Sequence, residues 1–562
     1  MALRIIPFQQ AICYFLPAVL AMALAWFGMD RFAAQNLYPR PDALEYALSA
    51  SSLYHGEGFV LRLGSDAFYP PRYTPGYPFL LAGWYLITGP HPEKACLFNL
   101  LLTGLLTITI VWMTYRVSGS RIGALCSGLL TATSSALVVS SQGVRSDLSG
   151  CCFFLAGIFF LFCGPTGVQN GSSSSKKRDH LTALLAGGFL GYAVMIRPSY
   201  LFPLAGCLPW VLIGRKEKLL VRGIRLVFCL TGIGLALVPM FILNLANLGN
   251  PLDSGYSLWA PDYCLDLHSA YSLDNIWRSF DPIRRPRSNL LVYSDLISGA
   301  NQWAKTPFYG GAIWISSIVL LAGIRKMPWD QVRFILASLT SILLLAGHYL
   351  LFFWQDARFL LLVVPLMAIL SGWGMSRILA YRPAFFPAAG LFLTLLLMLG
   401  STVPGLRTLR ENHSRENKGH PSFSEIEYLK RIDSRIEKDA VLVSVLDETL
   451  CEEYLVRGTG RTHLPLTLPN RGSHLLAVYQ YNIPIARFCR SSESRPELLF
   501  PLAGMGQDNL SFLKQALQQE RAIYVLRHGL DEYIKEMSIL RHDFHLDGAD
   551  PEFFKLQPPG GD

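Results

Sequence analysis

Long apolar stretches follow one another along the first four hundred residues and then stop. Eleven of them approach the ~20 residues that cross about 30 Å of hydrocarbon as a helix. They lie at about 11–28, 94–117, 121–141, 147–164, 181–196, 199–214, 224–247, 308–325, 331–353, 357–378 and 384–402. The fifth and sixth are short and are separated by Arg197-Pro198. Proline disfavours helix at the residue before it, so a break is expected there. Cleavage-like triplets at 21–25 give the first stretch a second reading, as a signal peptide. Its length and the loop charges described below favour a span. Residues 165–180 (GPTGVQNGSSSSKKRD) read as a flexible linker. After about 403 the pattern turns mixed and polar. The apolar runs at 439–446 and 522–526 predict buried strands, each preceded by a helical pattern, near 424–436 and 508–520. The organisation expected is a transmembrane domain over 1–402, with large loops at 29–93 and 248–307, followed by a soluble α/β domain over 403–562.

Composition supports this division. Of 562 residues, 51% are hydrophobic and 16% charged, against roughly 25% charged in a typical soluble protein. Mean hydropathy is +0.32. An intrinsically disordered chain and a water-soluble enzyme are both excluded. The 47 glycines and 34 prolines show no period, which excludes collagen and coiled coil. A polytopic α-helical membrane protein remains. The net charge of +9 then reports loop bias and not nucleic-acid binding. Most of the 11 cysteines sit in apolar segments, and no Cys-x-x-Cys pair occurs.

Lys and Arg set the sidedness. With a cytoplasmic N-terminus, the loops at Arg116/Arg121, Lys176-Lys177-Arg178, Arg215 to Arg225, Arg325/Lys326/Arg333 and Arg377/Arg382 are all cytoplasmic, and all are basic. The opposite short loops carry single arginines: Arg145, Arg197 and Arg358. The N-terminus is therefore expected inside and the polar C-terminal part outside, in an inner (plasma) membrane.

The few outer charges cluster. Pro41-Asp42-Ala-Leu-Glu45-Tyr46 suggests an amphipathic helix lying at the interface, with Asp42 and Glu45 on one face. Acids in a first helical turn also simply satisfy the helix dipole. Arg145-Ser-Asp147 puts an acid at the head of the fourth span, where it equally serves as a cap. Trp354-Gln-Asp356-Ala-Arg358 and Arg197 add boundary arginines, which alone would snorkel to lipid phosphate. Taken together, carboxylates and arginines gather on one side at the membrane surface. Arginine binds phosphate bidentately, and a carboxylate activates an acceptor or holds a metal. The cluster suits a lipid-linked phosphate. The loop at 248–307, with Trp259, Tyr263, Trp277 and Trp303, suits either an acceptor or lipid cover or an aromatic belt. Cys451 and Cys489 both fall in the outer domain, where an oxidising compartment would allow a disulfide between them. Asn412-His-Ser and Asn509-Leu-Ser fit the glycosylation pattern.

Asp42-Ala-Leu-Glu-Tyr46, followed by Tyr69-Pro-Pro-Arg-Tyr-Thr-Pro-Gly-Tyr-Pro-Phe-Leu-Leu-Ala82, resembles the opening of the GT-C glycosyltransferases. The narrower resemblance is to the protein O-mannosyltransferase and aminoarabinose-transferase branch, which includes lipid A core galacturonosyltransferase-like proteins. Asp147, Arg197-Pro198 and the run Ala357-Arg-Phe-Leu-Leu-Leu-Val-Val-Pro365 match that branch in order. Ala43 stands where the branch often has a second acid, and Asp147 where it often has Glu. The resemblance covers roughly 10–400. It implies inverting transfer of a sugar from a polyprenyl phosphate to a lipid, glycan or protein acceptor on the outer face. On that pattern Asp42 is the general base or orients the acceptor. Asp147 assists at the acceptor or, with Asp42, holds a divalent cation. Arg197 and Arg358 bind the leaving phosphate, helped by Arg72 or Arg145. Tyr46, Tyr73, Glu45 and Asp356 are secondary candidates. Two other readings stand beside it: a transporter or lipid flippase, and a family member acting as a scaffold without catalysis. A transporter buries ionisable groups at mid-bilayer, whereas these span centres are almost free of charge.

Overall fold

The computed structural model describes residues 8–28, 42–63, 67–163, 173–213, 218–256, 271–279, 287–298, 311–381, 423–466 and 506–559. The eleventh expected span, 384–402, lies outside them, as do Asn412 and Cys489. The longer helices of the first part are α1 (Phe8–Gly28), α2 (Asp42–Tyr54), α3 (Gly76–Thr88), α4 (Ala95–Ser118), α5 (Arg121–Ala132), α6 (Ser135–Ser141), α7 (Asp147–Ile158), α8 (Ser173–Ile196), α9 (Leu201–Cys207), α10 (Leu219–Leu248), α11 (Asn289–Ser298), α12 (Gly311–Ala322), α13 (Trp329–Leu351) and α14 (Val363–Tyr381). Ala95–Ser118, Asp179–Ile196, Leu219–Leu248 and Trp329–Leu351 are long and apolar enough to cross a membrane, and five shorter apolar helices accompany them.

Three local expectations change. The third span is broken at Thr133-Ser134, between α5 and α6. Ser127, Thr131 and Thr133 each turn a hydroxyl back onto a helix carbonyl, a bond that competes with the regular ladder. The linker expected over 165–180 is helix from Ser173 onward. Its polar residues occupy the first turns of α8, where backbone N–H groups need solvent or side-chain partners anyway. The helix expected to lie on the interface is enclosed instead: α2 is buried from Ala43 to Ser52.

What encloses α2 comes from the end of the sequence. Residues 423–466 and 506–559 form α15 (Phe423–Asp433), α16 (Gly506–Gln518), α17 (Ile534–Asp543) and a five-stranded sheet. A small hairpin, β1 (Leu61–Leu63) and β2 (Ala67–Tyr69), lies in the first loop. The sheet strands are β3 (Val441–Ser444), β4 (Thr462–Pro465), β5 (Ile523–Leu526), β6 (His545–Asp547) and β7 (Phe553–Gln557), in the order β4-β3-β5-β7-β6. β3 pairs parallel with β4 and β5; β7 pairs antiparallel with β5 and β6. All four residues of β3 and of β5 are buried, as their continuous apolar runs require. Asn509 is buried on α16, so that sequon is closed to a glycan. Cys451 is a buried free thiol whose Sγ lies 3.6 Å from Ser444 Oγ.

One apolar cluster runs from Leu44, Tyr46, Tyr77 and Leu81 into Ile426, Leu429, Leu450 and Leu455. A polar seam closes its edge. Arg457 donates to Ser51 Oγ at 2.8 Å and Ser52 Oγ at 3.3 Å, and its Nε lies 3.6 Å from Glu453. Arg62 lies 3.5 Å from Glu452, which is fully buried. Removing one partner from such a seam strands a desolvated group, at about 1–3 kcal/mol. Arg457→Ala is therefore expected to lower the thermal midpoint of the detergent-solubilised protein and to speed proteolysis within 423–466. An unchanged midpoint would mean that water replaces the guanidinium freely.

Candidate active site

The expected site residues meet at one end of the bundle, where α7 begins, α8 and α13 end and α14 is about to start. Asp42 heads α2. Tyr73 donates its hydroxyl to Asp42 Oδ1 at 2.5 Å, and Arg358 Nη2 lies 2.7 Å from Asp42 Oδ2. Asp356 orients that arginine: its carboxylate accepts from the Arg358 backbone N–H at 3.0 Å and lies 2.9 Å from Nε. A second pair forms beside the first. Asp147, the first residue of α7 and 2% exposed, is ion-paired with Arg197. Arg197 has an extended backbone (φ −145°) between α8 and the turn begun by Pro198, the expected break.

Aromatic rings join the two pairs. Both guanidinium carbons lie over the Phe359 ring, Arg197 at 5.4 Å and Arg358 at 5.8 Å from its centroid. Tyr46 shares a 3.0 Å hydrogen bond with Ser146, next to Asp147, and its ring lies 4.7 Å from that of Tyr73. Tyr77 donates to Asn99 Oδ1 at 3.1 Å, and Asn99 Nδ2 donates to the carbonyls of Gly143 (2.7 Å) and Arg145 (3.0 Å).

The Pro-Gly-Tyr-Pro stretch has a steric reason. A Cβ on Gly76 would lie 2.6 Å from the backbone N of Ile196. Thr74 Oγ1 donates to the Ile196 carbonyl at 2.9 Å, and Tyr192 donates to the Gly76 carbonyl at 3.0 Å. The stretch thus grips the last turn of α8, immediately before Arg197.

Of the four arginines expected to bind phosphate, Arg197 and Arg358 converge. Arg72 pairs with Glu45 at 3.1 Å, one turn along α2 from Asp42. Arg145 enters through its carbonyl. Sequence reasoning missed Phe359, Tyr77, Asn99, Ser146 and Tyr256. A lone Asn inside an apolar span was the available signal for Asn99. Phe359 carried none, because it reads as one more apolar residue of its span.

Burial pushes the Asp42 carboxyl upward, but the Arg358 guanidinium, the Tyr73 hydroxyl and the charge of Arg72 outweigh it and hold the group below its usual range. Glu45 goes the other way. Burial, opposed by Arg72 and reinforced by Asp42, Asp447 and Glu448, raises it to about 8. Asp42 and Asp147, the two residues expected to hold any divalent cation, are each ion-paired with a guanidinium. Among the described residues no three His, Cys, Asp or Glu side chains gather as metal ligands.

No family model and no curated protein matches this sequence. Solved structures do. ArnT from Cupriavidus metallidurans bound to undecaprenyl phosphate aligns with a TM-score of 0.59 at 13% identity, over 96% of this chain and 97% of that one. Apo ArnT from the same organism gives 0.59 at 12%, with the same coverage. The Archaeoglobus fulgidus oligosaccharyltransferase tethered with an acceptor peptide gives 0.54 at 10%, over 98% of this chain and 74% of that one. These proteins are GT-C superfamily members, and the chain has their fold. It is a polytopic integral membrane protein.

A raised acid binds its extra proton in the folded state between its unfolded value, 4.5, and about 8. Glu45 therefore contributes stability that is present below pH 4.5 and is lost as pH rises through about 8. Glu45→Gln is expected to flatten the fall of the thermal midpoint between those limits. Parallel pH profiles for the two proteins would refute the assignment.

Proposed function

We propose that the chain is a membrane glycosyltransferase that moves a sugar, with inversion, from a polyprenyl-phosphate carrier to a lipid, glycan or protein acceptor. The observation that carries this reading is the Asp42–Tyr73–Arg358 contact set beside the Asp147–Arg197 pair. It lies within a fold like that of ArnT bound to undecaprenyl phosphate. In this reading the N-terminus is cytoplasmic and the site and residues 403–562 face outward, which the basic loops support.

In the reaction the acceptor oxygen bonds to the sugar's anomeric carbon. The bond from that carbon to the phosphate oxygen breaks, and its electron pair leaves on the phosphate. Arg197 and Arg358, held over one ring, meet the charge that develops there. Asp42, kept ionised, orients the acceptor hydroxyl and takes its proton. Asp147 fixes Arg197, and Asp356 fixes Arg358. Fixed donors help most at a poorly hydrated boundary; losing one typically costs on the order of 10²–10³ in rate. Each of these roles falls to a side chain of this protein, so turnover is expected to survive EDTA.

The test uses wild type and Asp42→Asn in lipid nanodiscs, with a panel of undecaprenyl-phosphate sugars and an extract of envelope lipids and proteins. Mass spectrometry reads freed undecaprenyl phosphate and a one-sugar mass gain. The wild type is expected to give both and Asp42→Asn neither. Full activity in Asp42→Asn would sink the base assignment. Donor that crosses matched liposomes unchanged would move the reading to a flippase.

A further inference from the structure

We infer that Tyr256 is the platform against which the donor's sugar ring stacks, an inference that rests on the transferase reading. Tyr256 follows α10. Gly249 ends that helix in the left-handed region (φ 81°), and two α10 side chains tie down the neighbouring chain. Asn244 donates to the Pro251 carbonyl at 3.2 Å, and Asn247 donates to the Phe59 carbonyl at 3.1 Å. A Cβ on Gly255 would lie 2.0 Å from the Pro71 carbonyl oxygen and 2.7 Å from Arg72 Cα. The backbone before Tyr256 is thus laid directly on Pro71-Arg72.

That docking brings an aromatic ring against Tyr73, at the edge of the charged groups. The ring meets Tyr73 in a T-shaped contact, centroids 5.7 Å apart, and Tyr73 is the hydroxyl bonded to Asp42. Tyr256 nevertheless keeps 41% of its surface open.

A neutral, partly open ring among charges suits one kind of group. An aromatic face carries negative quadrupole charge and attracts weakly positive C–H edges. The apolar face of a pyranose presents such C–H groups. In a sugar phosphate the ring begins one bond from the phosphate oxygen. Arg358 meets Asp42, Asp42 meets Tyr73 and Tyr73 meets Tyr256, so a sugar on a phosphate held by Arg358 would sit on the side of the site that Tyr256 borders. The acceptor sugar is the other source of the same chemistry, and the test separates the two.

Tyr256→Ala, Tyr256→Phe and Tyr256→Trp would be assayed in nanodiscs with the undecaprenyl-phosphate sugar that the wild type turns over best. Binding of free undecaprenyl phosphate would be measured in parallel. The Ala variant is expected to raise the donor KM at least about fivefold, with acceptor KM and free undecaprenyl-phosphate affinity unchanged. The Phe and Trp variants are expected to stay near wild type. A rise in acceptor KM alone would assign the ring to the acceptor and overturn the inference. So would a fall in kcat alone, which marks a residue that only props Tyr73, or a Phe variant as poor as Ala, which marks a hydroxyl contact. If the wild type turns over no donor on the panel, the transferase reading fails first.

Discussion

Charge next to hydrocarbon has to be answered by opposite charge, and that requirement organises this molecule. Placing a carboxylate or a guanidinium in a poorly hydrated pocket costs several kcal/mol unless a partner is close and well oriented. Asp147 is almost fully buried and meets Arg197; Asp42 meets Arg358. One pair ties the head of α2 to the segment before α14, the other ties the start of α7 to the end of α8, and the Tyr46–Ser146 hydrogen bond joins the two sets. Tyr46 and Tyr73 pack ring against ring beside the pairs, and Phe359 lies under both guanidinium groups.

The same requirement explains what was legible in the sequence. Charges are rare in spans and collect at their ends, so Asp42, Asp147, Arg197 and Arg358 could be picked out and put on one side by the basic loops opposite. Pro198 announced the break that leaves Arg197 extended. Strands β3 and β5 were visible as short apolar runs, and α15 and α16 as the helical patterns before them.

Pairing was not legible, because it belongs to the tertiary structure. Arg72 precedes Tyr73, yet it serves Glu45 while Tyr73 serves Asp42. The enclosure of α2 was equally hidden. The helix was expected to lie on the interface, but Ser51 and Ser52 are satisfied by Arg457, from the far end of the chain. The glycine of Pro-Gly-Tyr-Pro stood out as a motif residue, while its cause, contact with the Ile196 backbone, is a packing fact.

The enclosure of α2 also sets an order of events during synthesis. This helix leaves the ribosome early, with the spans that follow it, while the residues that cover its other side are made only after the bundle has been threaded. Until residues 423–457 arrive, Leu44 and Ala50 lack the apolar neighbours that complete their cluster, and Ser51 and Ser52 lack their arginine. The helix bearing Asp42 therefore reaches its final setting late, so the growing chain carries no finished site while its membrane part is still being inserted.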